Sequence, residues 1–296
     1  MAASLLCSLS ALGAEAYACY TSSNTTLTFY YDNYRSSRTG TTYDVNTDGS
    51  ASGWYEPAWH TDSTCVSVTR VVFNSSFANA RPHTTSCWFR DMRHLQSITG
   101  LYYLNTSQVI TMHYMFGECA QLTSLDLSGF NTSQVDNMSR MFKGCSGLTS
   151  LNLSRFDTGN MWYCYSMFSG CSNLTTIYVA DGWVLDNDAL GGNMFDGCVK
   201  LRGGRGTTYD SSHVDKAYAH VDGGPSNPGY FTAGYLLGDV NRDVTMNIAD
   251  VTAVIDYILT GDASEINLGA GDVNFDNTVN IADVTTMIDF ILTGVW

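Results

Sequence analysis

The sequence predicts an α/β solenoid, in which a parallel sheet alternates with short helical stubs behind an N-terminal β cap, followed by a small all-α domain. Two observations support this prediction. A block of 26 or 27 residues recurs five times in tandem, and a 24-residue motif appears twice near the end of the chain. We divide the chain into a candidate signal segment (1–18), the cap (19–67), the repeats with a C-terminal cap (68–235) and the small domain (236–296).

The first eighteen residues contain an apolar run that ends in small residues, which is the pattern of a secretion signal. The predicted cleavage sites are Ala14-Glu15-Ala16 and Ala16-Tyr17-Ala18. No basic residue precedes the run, so a truncated signal or an ordinary N-terminal segment is the alternative, and a lipid anchor on Cys19 is a weaker one. No other stretch approaches the ~18 apolar residues that a membrane-spanning helix requires.

The cap segment reads as β structure, with strands predicted at residues 27–31 and 66–73. Solenoids need an end piece that covers the apolar face of the first turn, and three aromatic side chains are candidates for it: Trp54, Tyr55 and Trp59. The stretch from Asp44 to Gly49 resembles the start of a calcium loop. Because its twelfth position is Tyr55 and not an acid, a polar hairpin turn is the better interpretation.

The clearest repeats occupy residues 122–147 and 148–173, and looser copies lie at 68–94, 95–121 and 174–200. In the first clear copy, alternating leucines predict a short strand with its apolar side inward: Leu122, Leu125 and Leu127. Later apolar residues have the spacing of a short helical face: Met138, Met141, Phe142 and Cys145. Each turn is therefore predicted to be a strand, a polar bend and a helical stub.

The pattern LxxLxL followed by an Asn-containing turn is typical of leucine-rich repeats. The stretch LDLSGFNTSQVDNMSRMFKGCSGL resembles the repeats of BspA-type leucine-rich surface proteins of bacteria, and the resemblance covers most of residues 20–233. It implies a secreted or cell-surface adhesin that binds proteins of a host or a neighbouring cell.

Four of the nine cysteines occupy one place in successive repeats, at Cys119, Cys145, Cys171 and Cys198. Thiols at a recurring inward position are predicted to be small buried hydrophobic groups. Disulfides between adjacent turns in an oxidising compartment are the alternative. No C-x-x-C pair is present, so neither a thiolate zinc site nor a thioredoxin-like motif is expected.

The repeat at 148–173 carries aromatic side chains where the preceding copy has polar ones, at Trp162, Tyr163 and Tyr165. With His113 and Tyr114 from an earlier repeat, they predict a patch on the edge of the solenoid. Exposed aromatic side chains can stack on sugar rings or anchor a protein, so the ligand would be a glycan or a protein. Packing against the neighbouring turn or the cap is the alternative.

The most specific motif is GDVNRDVTMNIADVTAVIDYILTG at 238–261, which recurs as GDVNFDNTVNIADVTTMIDFILTG at 271–294. Each copy begins with a twelve-residue loop whose oxygen-bearing residues fall at positions 1, 3, 5, 7, 9 and 12, the spacing that surrounds Ca²⁺. The predicted ligands of the first loop are Asp239, Asn241, Asp243, Thr245 through its carbonyl, Asn247 and Asp250. Those of the second are Asp272, Asn274, Asp276, Thr278, Asn280 and Asp283. The asparagine at position 9 is expected to act through a water molecule.

Each loop leads into a predicted helix, at residues 251–259 and 284–292, with no helix before it. This duplicated loop–helix arrangement is similar to the type I dockerin module. The resemblance implies two calcium ions, folding on calcium binding and docking to a cohesin partner. Dockerin positions that contact cohesins map onto Ile248, Ala249, Ile281 and Ala282. This apolar pair replaces the Ser/Thr pair of well-known cellulosomal dockerins, so a different cohesin-like domain is an alternative partner.

The two loops differ at position 6, where a positive φ normally requires glycine. The first loop has Val244 there and the second has Asn277. Asparagine tolerates this conformation and a β-branched residue does not. The second site is therefore predicted to bind calcium more tightly than the first.

Charge and motifs restrict the function further. Residues 238–296 contain ten acids and one base, a charge of −9 out of −14 for the chain. This balance excludes a nucleic-acid footprint and indicates a bound cation.

The six histidines are scattered, and nucleophile and nucleotide motifs are absent, so no enzyme is predicted. A pair of carboxylates for glycosidase chemistry is the alternative that the sequence leaves open.

The overall prediction is a secreted, non-catalytic binding protein with a calcium-dependent docking module. Two alternatives are an adhesin whose dockerin-like repeat is only structural, and an accessory component of an extracellular assembly that degrades polysaccharide.

Overall fold

The computed structural model describes residues 13–45, 56–180, 183–234, 237–241, 245–264, 266–274 and 278–294. The strands within these ranges are β1 (Glu15–Thr21), β2 (Thr26–Asp32), β3 (Thr41–Asp44), β4 (Arg70–Phe73), β5 (Ser97–Thr99), β6 (Ser150–Asn152), β7 (Thr176–Val179) and β8 (Thr232–Ala233). The α-helices are α1 (Ala58–Thr61), α2 (Ile248–Thr260), α3 (Leu268–Gly271) and α4 (Ile281–Thr293).

The N-terminal sheet has the strand order β3-β1-β2-β4-β5. Strand β1 pairs antiparallel with β2 and β3, whereas β2 with β4 and β4 with β5 are parallel. The sheet is thus antiparallel among β3, β1 and β2, and it is parallel from β2 onward, as in the repeats. Strand β2 confirms the strand predicted at 27–31. The one predicted at 66–73 begins only at Arg70, because a 3-10 turn occupies residues 64–67.

The predicted signal segment overlaps this sheet. Residues 15–18 belong to β1, and the side chains of Tyr17 and Ala18 are fully buried. The cap therefore begins before residue 19, and cleavage after Ala18 would remove the first half of a central strand.

An aromatic cluster fills the cap, as predicted for Trp59. The Trp59 ring meets Phe29 edge-on at 5.6 Å, and its Nε1 donates to the carbonyl of Trp88 at 2.8 Å. Phe29 also stacks on Phe73 at 4.6 Å. The predicted hairpin turn begins at Asp44, the last residue of β3, and its residues 46–49, like Trp54 and Tyr55, lie outside the described residues.

The repeats stack through single parallel β-bridges spaced 26 or 27 residues apart, which join Thr84, Thr111, Asn137, Tyr163 and Leu190 in succession. One phenylalanine per copy stacks on the next, with ring centroids 5.4 to 5.8 Å apart, at Phe89, Phe116, Phe142, Phe168 and Phe195. We call this row the phenylalanine stack. The same contact between phenylalanine rings therefore joins each copy to the next.

Of the three leucines predicted to face inward, Leu122 and Leu127 are 1% and 2% exposed, and Leu125 is half-buried against the same core. The strand predicted for this copy is nevertheless wrong, because residues 122–128 form no ladder with a neighbour. Strands occur at the equivalent place in the next two copies, where β6 and β7 form a parallel sheet with β8, which lies beyond the last copy.

The predicted helical stub is a series of turns. The amide of Met141 donates to the carbonyl of Met138 in its own copy (3.1 Å), whereas the amide of Phe142 donates to the carbonyl of Met167 in the next copy (2.9 Å). Arg140 and Gly144 have φ values of 58° and 72°, which interrupt a right-handed helix. Backbone amides therefore alternate between bonds within a copy and bonds between copies.

The cysteine prediction is confirmed. All eight cysteines in the described ranges are buried free thiols. The thiol of Cys145 donates to the carbonyl of Phe116 in the preceding copy at 3.0 Å, and Cys171 contacts the carbonyl of Phe142 in the same way. These thiols join neighbouring copies and occupy little volume.

The C-terminal segment has a hydrophobic core of its own. Val240, Val254, Ala270 and Met287 are fully buried in it, and α2 packs against α4. Across the described ranges, every helix is too short or too polar to cross a membrane.

Candidate functional site

The first predicted calcium loop is closed by its twelfth residue. Asp250 is fully buried, and its Oδ1 accepts hydrogen bonds from the amides of Val240 (3.0 Å) and Asn241 (3.2 Å). Its Oδ2 accepts from the amide of Asn247 at 2.9 Å. One carboxylate therefore holds the start of the loop against its end.

The second loop repeats this arrangement. Asp283 is fully buried, its Oδ1 accepts from the amides of Val273 (2.9 Å) and Asn274 (3.3 Å), and its Oδ2 accepts from Asn280 (2.9 Å). The two loops are separate segments with similar sequences, and the same hydrogen bonds close both of them. The local sequence therefore accounts for the closure of each loop.

The ninth loop residue begins each helix. The side-chain oxygens of Asn247 and Asn280 accept from the amides of Ala249 and Ala282, each at 2.8 Å, and both helices have a capping box with the twelfth aspartate. The helices therefore begin at Ile248 and Ile281, three residues before the predicted starts. Sequence reasoning missed the box, although Asn-x-x-Asp is a recognisable start signal. The water-mediated role of the two asparagines stays a prediction.

The remaining predicted ligands lie around these closures. Asp239 is 4% exposed, and Asp272 and Asn241 are half-buried. Asn274, Thr245 and Thr278 are exposed. The fifth-position residues Asp243 and Asp276, and the sixth-position residues Val244 and Asn277, lie outside the described residues.

The donor set fits calcium. Carboxylate, amide and carbonyl oxygens are the ligands this hard cation takes, and a carboxylate oxygen that accepts one N–H retains a lone pair for a metal. Among the described residues alone, no three His, Cys, Asp or Glu side chains form a metal cluster. A calcium site here therefore also needs the fifth-position aspartates or non-acidic oxygens.

The predicted partner-binding residues lie at the solvent surface. Ile248 and Ile281 are each 66% exposed, and Ala249 and Ala282 are exposed beside them. The exposed apolar surface continues along both helices, with equal exposure at equivalent positions: Ile255, Ile258 and Leu259 on α2, and Ile288, Ile291 and Leu292 on α4. On α2, Val251 and Val254 are buried, whereas Ile255 and Ile258 are exposed.

The aromatic patch stays a prediction, and the structure shows only how exposed its members are. Trp162, Tyr163 and Tyr165 are 54%, 43% and 39% exposed, so none of them is a core residue. Tyr114 is half-buried, and its hydroxyl donates to Glu118 at 3.3 Å.

His113 does not belong to the exposed patch. Its side chain is 7% exposed, and burial, together with the charges of Arg140 and Arg90, lowers its pKa to about 4. His113 and Tyr165 occupy equivalent positions two copies apart, but His113 is buried and Tyr165 is exposed.

Two family models match the chain. Residues 84–207 match the model described as Mycoplasma protein of unknown function, DUF285, and residues 237–292 match the type I dockerin domain. Neither the curated proteins nor the solved structures gave a match. Type I dockerin domains bind calcium and dock to cohesins. The C-terminal part of the chain is thus a type I dockerin domain, which follows a repeat region that resembles a family of unknown function.

Proposed function

We propose that the protein is a non-catalytic, secreted or cell-surface binding protein that docks to a cohesin-like partner when calcium is bound. The observation that carries the proposal is the identical closure of two loops by buried Asp250 and Asp283, in a segment that matches the type I dockerin domain.

Each loop would hold one calcium ion. The ligands in the first are Asp239, Asn241, Asp243, Thr245, Asn247 and Asp250, and those in the second are Asp272, Asn274, Asp276, Thr278, Asn280 and Asp283. Bound calcium supplies the positive charge that a segment with ten acids and one base lacks. Asp250 and Asp283 already join both ends of their loops, so they orient α2 and α4 for the partner.

The partner would bind the exposed apolar surfaces of the two helices. Because Ile248 and Ile281 occupy equivalent positions with equal exposure, either helix can present the same contact. The module can therefore bind its partner in either of two orientations, as the repeated pair Ile-Ala predicts.

The repeat region would be the recognition surface, a leucine-rich-repeat solenoid of the BspA type. The regular bridges, the phenylalanine stack and the inward leucines support this part of the proposal. A host-binding adhesin and a component of a polysaccharide-handling assembly remain alternatives. The exposed Trp162 and Tyr163 favour glycan recognition, because sugar C–H groups can pack against aromatic faces.

Calcium titration of the full chain tests the docking module. We expect two binding events by calorimetry and a gain of helix by circular dichroism, both absent with chelator. Asp283→Ala should remove one event, and Asp256→Ala, which changes an exposed acid of α2, should remove neither. The absence of calcium binding would contradict the proposal.

Docking itself is tested with an immobilised type I cohesin. The protein should be retained in calcium and released by chelator. Ile248→Asp or Ile281→Asp alone should leave binding through the other helix, and the double variant should lose it. Retention of the double variant would show that these surfaces are not the contact.

A further inference from the structure

A cleft of about 720 Å³ lies at the C-terminal end of the repeats, between residues 183–192 and 215–220. This volume is within the ~300–1,000 Å³ range of small-ligand sites. Trp183 forms one wall. Its ring packs edge-on against Phe231 at 5.0 Å, and its Nε1 donates to the carbonyl of Ala219 at 3.1 Å. The wall is therefore fixed by packing and by a buried hydrogen bond.

Lys216 joins the two sides of the cleft. Its Nζ donates to the carbonyls of Asp186 (3.0 Å) and Asn187 (2.6 Å), and its backbone amide donates to the carbonyl of Gly191 (3.0 Å). These three bonds connect the two sides of the cleft without a ligand. A preformed site loses less conformational entropy on binding.

An aromatic ring lines the cleft. Tyr165 is 39% exposed, and a Cβ placed on Gly192 in the next copy would lie 3.8 Å from its ring, so the backbone of Gly192 lies close to one part of the ring. The exposed part of the Tyr165 ring is left for a ligand ring to pack on.

The polar lining restricts the ligand class. Asp186 and Asp215 bring carboxylates, Asn187 brings an amide and Lys216 brings an ammonium group. A phosphate or another anion would meet two carboxylates against one ammonium, and a wholly apolar ligand would leave polar groups without partners. A neutral ligand with many hydroxyls satisfies acceptors and donors together.

We propose that this cleft binds a short neutral oligosaccharide, with one sugar ring against Tyr165 and hydroxyls bonded to Asp186, Asn187 and Lys216. This inference rests on the recognition role proposed for the repeats and names the ligand class of that surface. It moves the centre of binding from Trp162 and Tyr163 to the cleft at the C-terminal end of the repeats.

The test is calorimetry and saturation-transfer NMR on the full chain with cellotetraose, xylotetraose, mannotetraose and lacto-N-tetraose. We expect at least one to bind. Tyr165→Ala should weaken that binding at least tenfold, and Asn187→Ala, at an exposed position, should weaken it several-fold. Tyr102→Ala removes a more exposed tyrosine, 50% exposed, outside the cleft and should change nothing.

Two results would overturn the inference. One is the absence of binding to all four probes, and the other is unchanged affinity in both Tyr165→Ala and Asn187→Ala with circular dichroism spectra like that of the parent chain. Loss of sugar binding in Trp162→Ala alone would place recognition on the outer patch, which would refute the cleft but preserve glycan recognition by the repeats. Cohesin retention, measured on the same samples, reports on the docking function separately.

Discussion

The hydroxyl of Thr132 forms two hydrogen bonds with the backbone of Asp157 in the next copy. It donates to the carbonyl at 2.8 Å and accepts from the amide at 2.9 Å. Thr106 makes the same pair of bonds with Asn131, and Thr158 makes it with Val184. All three threonines are at most 2% exposed, so their hydroxyls lie inside the repeats and bond to backbone groups of more exposed residues.

Thr132→Val should therefore destabilise the repeats. The substitution retains the shape but removes both hydrogen bonds to the backbone of Asp157, at a cost of about 0.5–1.5 kcal/mol per bond. Urea unfolding followed by tryptophan fluorescence measures the effect. Thr123→Val, at an exposed position of the same copy, is the matched control. Equal stability of the two variants would show that the threonine bonds contribute little.

Asp222 makes stability depend on pH. Burial alone would raise its pKa, but hydrogen bonds from the amide and hydroxyl of Thr207 and from the amides of Gly224 and Arg205 outweigh burial and hold the pKa well below its usual range. The folded carboxylate therefore binds its proton more weakly than the unfolded one. Its contribution is complete above the unfolded pKa of about 3.9 and is lost as pH falls toward the folded pKa.

Asp222→Asn should lower the free energy of unfolding at pH 7 by roughly 2–3 kcal/mol, because the amide cannot accept all four bonds. The difference from the parent should shrink below about pH 4. Thermal unfolding between pH 3 and 7 measures both effects. Asp188→Asn, at an exposed position, should follow the parent curve. A pH-independent difference would contradict the assigned cause.

The cysteine row should not react in the native protein. Burial raises the pKa of the Cys145 thiol to about 12, and the side chain is inaccessible. Iodoacetamide at pH 8 should leave Cys119, Cys145, Cys171 and Cys198 unmodified until urea is added, as read by mass spectrometry. A Ser124→Cys variant, with an exposed thiol, should be modified at once. Rapid native alkylation of the row would mean that the repeats open readily.

The sixth loop position should determine the order of calcium affinities. Val244→Gly should raise the affinity of the first site about tenfold, because the positive φ that this loop position normally requires is costly for a β-branched residue and not for glycine. Asn277→Gly should change the second site less. Calorimetry on both variants measures the calcium affinity of each site. An unchanged affinity at the first site would mean that Val244 does not limit binding.

Sequence reasoning succeeded where periodicity alone determines the structure. The repeat length, the inward leucines and the buried cysteines all follow from recurrence of one residue type at one place. The helical stub was wrong because Met138, Met141 and Phe142 have a spacing that helices and consecutive tight turns share. The positive φ of Arg140 has no signature in the residue type.

The threonine bonds were missed although a signal was present. Thr106, Thr132 and Thr158 recur at one place within polar turns, and a polar residue that recurs exclusively as threonine indicates a buried hydroxyl. His113 was misplaced because its register position is occupied by exposed Tyr165 two copies later. Periodicity does not reveal that the side chain is buried at one of these positions and exposed at the other.

The phenylalanine stack has a consequence for how the protein can change over evolutionary time. In the middle copies each ring stacks on the equivalent ring before it and after it. A gene duplication that adds one copy would therefore insert a ring between two identical neighbours and leave both ends of the stack unaltered. The number of copies between the N-terminal cap and the dockerin domain can thus increase or decrease one at a time, while the cap and the dockerin domain stay the same.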